Sequence, residues 1–177
     1  MKQWLAFLFA LMFLATIHEG THALVAGMYD EYDGFHIRPL GFEVTYNTEV
    51  IERSGIQWAF ISGASNLVTV TMGFVLLLLG RRFARSSTAF MKSGIFYLTL
   101  LSLLVDPLNC SIGPFIYGGD ADGIAVGLGI SRYVVQAVFF SVLLLNRELV
   151  ALKLFPTYNV QTRHPLFRPW IRSAKRV

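Results

Sequence analysis

Four long apolar runs, near residues 3–26, 56–80, 94–105 and 130–152, constrain this chain more than any other feature. A helix crossing a bilayer needs about 20 mostly apolar residues. The third run reaches that length if it begins near Ser87. The chain is 54% hydrophobic and 15% charged, against roughly 45–50% and about 25% in soluble domains. The solvent this sequence calls for is a bilayer, and its 177 residues suggest one domain.

Charge placement orients the spans. The 81–92 loop carries Arg81, Arg82, Arg85 and Lys92 and no acid, and the tail carries Arg163, Arg168, Arg172, Lys175 and Arg176. Segments 27–55 and 106–122 are acidic. The positive-inside rule then puts both termini in the cytoplasm and the acidic segments on the other face. The net charge of +4 is not a nucleic-acid signal, and the single cysteine, Cys110, excludes an internal disulfide. Lys2 and the WLAFLFALMFLA that follows Gln3 resemble a signal peptide. However, apolar character resumes at ALVAG and no A-x-A site precedes His18, so the segment reads as an uncleaved first span.

Between the first two spans, Phe35 and Ile37, then Phe42, Val44 and Tyr46, alternate with polar residues around Pro39-Leu40-Gly41. That pattern predicts two short strands about a turn. NCSIGPFIYGGDADGIAVGLG is too rich in glycine and proline for a lipid-facing helix and predicts irregular backbone lining a cavity. The expected fold is an all-α integral membrane domain over residues 1–155. It has about four transmembrane helices, a small β-hairpin between the first and second, and a partly re-entrant loop before the last. A basic cytoplasmic tail, 156–177, is expected to have little fixed structure.

Within the first run stands HEGTH, residues 18–22. Residues i and i+4 share a helix face, so His18 and His22 can direct ring nitrogens at one ion, with Glu19 in reach of a water beside it. This is the H-E-x-x-H spacing of zinc peptidases. With four histidines and six glutamates in the chain, a chance match is on the order of a few per thousand. Ionisable groups in an apolar span are costly and mark function. Zinc suits two imidazoles and a carboxylate with a fourth place left for water.

A third ligand is needed, and Asp120, Asp122, Asp106, Cys110, His36 and His164 are the candidates. His164 lies on the wrong side of the membrane and His36 in the strand pair, as a surface residue. Asp106 precedes Pro107 and can simply end the third span. Asp120 and Asp122 open a short helix at the same membrane face as the histidines, where they can ligate or merely cap it.

With HEGTH at 18–22, the strand-like 35–46, SGASN at 62–66, Asn109 ahead of Gly113-Pro114, and GGDADGI at 118–124, the chain resembles the site-2 protease family of intramembrane zinc metalloproteases. The likeness runs through residues 14–130 as a succession of motifs. The family's L-D-G-G is absent. Matching its isoleucine selects Asp120 as metal ligand, whereas matching its Asp-Gly pair selects Asp122; Asp120 is preferred. The resemblance implies peptide-bond hydrolysis in or near transmembrane segments of membrane-protein substrates, with Zn2+ as cofactor. Its metal ligands would be His18, His22 and Asp120, with Glu19 as base and Asn109 on the substrate backbone or oxyanion. Two other readings stand beside it: a zinc hydrolase of lipid amides or esters, and a non-enzymatic regulator clipped by metal.

Overall fold

The computed structural model describes residues 2–38, 41–85, 88–116 and 119–171. Helix α1 spans Lys2–Met28 and ends where Asp30 takes a left-handed conformation, φ 58°. The chain then forms an antiparallel hairpin of β1, Tyr32–Arg38, and β2, Gly41–Tyr46. Phe35 faces Val44 and Ile37 faces Phe42, so the alternation read from the sequence is the cross-strand register. Pro39 and Leu40 of the expected turn lie outside the described residues. Glu31 fastens the hairpin base by accepting from the backbone N–H of Thr48 at 3.1 Å and from its hydroxyl at 2.9 Å.

Helices α2, Gln57–Leu78, and α3, Gly80–Ala84, follow, then α4, Ala89–Ser111, α5, Asp120–Leu128, and α6, Arg132–Leu149. The last helix runs on through a π-helical stretch, Val150–Leu154, to Thr157. Among the described residues, four helices are long and apolar enough to cross a membrane: α1, α2, α4 and α6 with its continuation. Trp4, Leu8, Phe9, Met12 and Phe13 of α1 all point outward, as do Leu67 and Val68 of α2. Such apolar outer faces suit lipid and not water. The third run is longer than its apolar stretch suggests, because α4 continues through Asp106 and Pro107 to Ser111.

Pro107 inside α4 has a specific remedy. Proline lacks the N–H that would bond the carbonyl four residues back, which is that of Leu103. Asn146 on α6 donates to the Leu103 carbonyl at 2.8 Å, and both residues are fully buried. One turn beyond Pro107, Gln136 donates to the Ser111 carbonyl at 2.8 Å. The α4–α6 contact therefore restores backbone bonding that a break in an apolar helix would lose.

Helix α5 lies against α2 through glycine. A Cβ on Gly123 would stand 1.9 Å from Ser62 Oγ, and one on Gly127 would stand 2.1 Å from the Ala59 backbone nitrogen. Two glycines four apart share a helix face and let two backbones approach closely. Gly119, at φ +101°, turns the chain into α5.

The expectation of an unfixed tail is corrected for residues 156–171. Arg147 donates to the carbonyls of Leu166 and Arg168, and to Glu148 at 2.5 Å. Glu148 accepts from the backbone N–H groups of Trp170 at 2.9 Å and Ile171 at 3.0 Å. Phe155 and Tyr158 pack with Leu103, Val150 and Leu154. A polar, proline-containing tail takes a fixed course here because its partners are two charged residues at the end of α6. Arg172, Lys175 and Arg176 lie outside the described residues.

Asn146→Leu keeps the branched side-chain outline and leaves the Leu103 carbonyl unpaired. The cost is about 1–3 kcal/mol, read as a lower melting temperature of the purified protein in detergent. Unchanged melting would show that the Asn146 bond does not support the α4 break.

Candidate metal centre

The site begins with a polar stripe on an apolar helix. Ser62, Ser65, Asn66 and Thr69 of α2 recur at the i, i+3, i+4, i+7 spacing of one helical face, and all four are buried. That face meets α1 at its histidines, α4 at Asp106 and Cys110, and α5 at Asp120. Close packing at Gly123 and Gly127 presses α5 into this position.

His18, His22 and Asp120 converge. His18 Nε2 lies 3.2 Å from His22 Nε2 and 3.3 Å from Asp120 Oδ2, and His22 Nε2 lies 3.2 Å from Asp120 Oδ1. These are the only described residues grouped so that three ligand atoms could hold a metal ion. Zinc–nitrogen and zinc–oxygen bonds of about 2.0–2.1 Å in a tetrahedron imply ligand–ligand edges of about 3.3–3.4 Å. The two ring nitrogens stand at about such an edge, and each lies at a similar distance from a different oxygen of the Asp120 carboxylate.

The rings are also oriented for ligation. His22 Nδ1 is 2.7 Å from the Ile61 carbonyl oxygen, which can only accept, so this nitrogen carries a proton and in the neutral ring Nε2 keeps its lone pair. His18 Nδ1 stands 3.2 Å from Asp106 Oδ1, an ion-pair contact without good hydrogen-bond alignment. Asp106 in turn accepts from the Thr69 hydroxyl. An outer carboxylate and an outer carbonyl, one per ring, are the usual means of fixing metal-binding imidazoles. The Ser65 hydroxyl, 2.8 Å from His22 Nε2, competes for the same lone pair. Asp120 is steadied by Asn66 Nδ2, which donates to Oδ2 at 2.8 Å, while the Cys110 thiol donates to Asn66 Oδ1 at 3.0 Å.

The structure separates the third-ligand candidates. Asp120 joins the histidines, whereas Asp122 faces Arg132 at 3.4 Å. Asp106 does not end α4; it lies inside the helix, behind His18. Cys110 reaches Asn66 rather than the histidines. His36 is exposed beside Thr45, and His164 is an exposed residue of the tail.

A cavity of about 720 Å³ opens over the site. Its lining includes Glu19, Asn109 and the β2 residues Gly41, Phe42, Glu43, Val44 and Tyr46. Glu19 and Val44 line this cavity together, so the hairpin edge and the H-E-x-x-H helix meet at the glutamate. Burial, reinforced by the negative charges of Asp120 and Glu19, pushes the Tyr46 phenol well above its ordinary value, so it stays neutral and able to donate. Sequence reasoning passed over Tyr46 as a site residue, and it also passed over Ser65 and Thr69. The stripe on α2 was the available signal, since polar side chains at helical spacing inside an apolar run need a buried partner.

His18→Ala and Asp120→Ala are expected to lose zinc in elemental analysis of the purified protein, and Asp122→Ala to retain it. Asp106→Asn should weaken zinc binding by about 10–100-fold. Zinc retained by Asp120→Ala and lost by Asp122→Ala would reverse the assignment. Comparison with family models, curated proteins and solved structures finds no match to the chain.

Proposed function

We propose that the chain is an intramembrane zinc metalloendopeptidase of the site-2 protease type, embedded in a bilayer by four spans with both termini cytoplasmic. Its substrates are membrane proteins, cut in or near a transmembrane segment. The carrying observation is that His18, His22 and Asp120 each bring a ligand atom within 4.8 Å of the others in a cavity that also contains Glu19. Bound by those three side chains, a zinc ion would supply Lewis acidity, which makes water a usable nucleophile near neutral pH.

The chain's own groups provide the rest. Glu19 takes the proton from the attacking water and returns it to the departing amine. The amides of a transmembrane helix are bonded within the helix, so a substrate must unwind before its carbonyls are presented. Among the described residues the sheet has two strands, and β2 lines the cavity. An unwound substrate added along β2 regains backbone partners and lies extended beside the site. Asn109 lines the cavity wall, and its proposed role is to donate to the oxyanion. Helix α5 belongs to the partly re-entrant element of this reading, which would carry Asp120 to membrane depth.

The strand edge favours a peptide over a lipid amide or ester, because a lipid has no backbone for a strand to pair with. Glu19 favours an enzyme over a structural metal clip, because a structural site has no use for a base.

Glu19→Gln should keep its zinc and lower cleavage of a tethered single-span peptide by about 10²–10⁴-fold. Cleavage at the wild-type rate would refute the assignment of Glu19 as base. Hydrolysis of lipid extracts with no cleavage of any peptide would favour a lipid substrate.

A further inference from the structure

Among the described residues, Arg53 is the one arginine on the cavity wall without a carboxylate ion-pair partner. The cavity over the metal centre includes Arg38 and Arg53. Arg38 is neutralised by Glu43 at 2.6 Å. None of the ion pairs among the described residues includes Arg53. Its Nε is buried without a hydrogen-bond partner. The guanidinium lies over two aromatic rings, 4.3 Å from the centre of Trp58 and 4.9 Å from that of Tyr46. Burial lowers its pKa from the ordinary arginine value, a sign that water solvates it incompletely. Glu31, close enough to act on it electrostatically, has its carboxylate taken up by Thr48.

Packing alone does not require this arrangement. Aromatic faces hold a guanidinium in place and leave its in-plane N–H donors free for a bidentate acceptor. A cation set aside in this way is prepared for an anion from outside the chain.

The position says which anion. A second cavity, of about 600 Å³, runs along the outer part of the hairpin and shares Glu43, Val44, Tyr46, Val50 and Arg53 with the first. Arg53 therefore stands where the two cavities join, at the Tyr46 end of β2. A peptide paired along β2 must pass it as the chain leaves the metal centre.

We propose that Arg53 is a specificity-determining residue that binds an Asp or Glu side chain of the substrate, on the part of the peptide that extends from β2 into the outer cavity. This rests on the peptidase reading above. It adds a substrate class: membrane segments with an acidic residue at a fixed distance from the scissile bond. The carboxylate takes two parallel N–H bonds from the guanidinium, and neutral isosteres leave that partly desolvated cation unpaired.

The test is cleavage-site profiling of the full-length zinc-loaded protein in liposomes. The probe is a library of single-span peptides whose flanks are randomised, with products sequenced by mass spectrometry. Wild type is expected to prefer Asp or Glu over Asn or Gln at one flanking position by about tenfold or more, the difference lying in KM. Arg53→Met, which keeps the apolar stem on Trp58, should lose that preference while retaining zinc and cutting neutral peptides. Arg53→Lys should keep it in weaker form, and Arg53→Glu should turn it toward Lys and Arg. Cleavage by wild type with no acidic preference overturns the role of Arg53 and leaves the peptidase reading standing, whether or not the variants fold. An unchanged preference in Arg53→Met does the same. No cleavage of any library member overturns both. A uniform loss of cleavage in Arg53→Met, seen only in vesicles containing phosphatidylglycerol, would assign the cation to a lipid headgroup and end the proposal.

Discussion

The meeting of two imidazoles and a carboxylate between apolar helices is the constraint on which the rest depends. His18 and His22 are 12% and 4% exposed at their side chains, and Asp120 is 15% exposed. Removing such groups from water costs several kcal/mol each unless each finds a partner. The whole bundle is arranged to supply partners: the Ile61 carbonyl and Asp106 behind the rings, Asn66 beside the carboxylate, and Thr69 behind Asp106. Outer contacts of this kind suit a site that holds a charge at its centre.

Helix α2 organises that set. It turns one face of four polar residues inward and apolar residues such as Leu67 and Val68 outward. Its polar face touches α1, α4 and α5, so one helix fixes the relative positions of groups far apart in the chain. Glycine makes the last contact possible, since a side chain at residue 127 would force α5 away from α2 and take Asp120 with it. The same logic of replaced partners appears at Pro107, where Asn146 reaches across from α6. In both places a local weakness of the helix is tolerated because a neighbouring helix supplies what is missing.

Much of this was legible in the sequence, and the reasons differ by element. The helices were readable because a bilayer leaves few alternatives for 20 apolar residues. The hairpin was readable because alternation has a period of two. HEGTH carried its own geometry, since i and i+4 fix two side chains on one face. Asp120 and Asp122 could not be separated by spacing, because the choice depends on which side of α5 meets α2, and Gly123 and Gly127 decide that through contacts with residues some sixty positions earlier. Asp106 was read as a helix end because proline usually marks one; the remedy for the break lies in another helix. The tail misled for a similar reason, since its composition says nothing about Arg147 and Glu148 waiting at the end of α6.

X-ray absorption at the zinc edge of the purified full-length protein tests the central claim most directly. The account predicts a first shell of nitrogen and oxygen at about 2.0–2.1 Å, with the outer-shell scattering of two imidazole rings. A sulfur scatterer near 2.3 Å, a shell with fewer than two imidazoles, or failure to bind zinc in stoichiometric amount would contradict it.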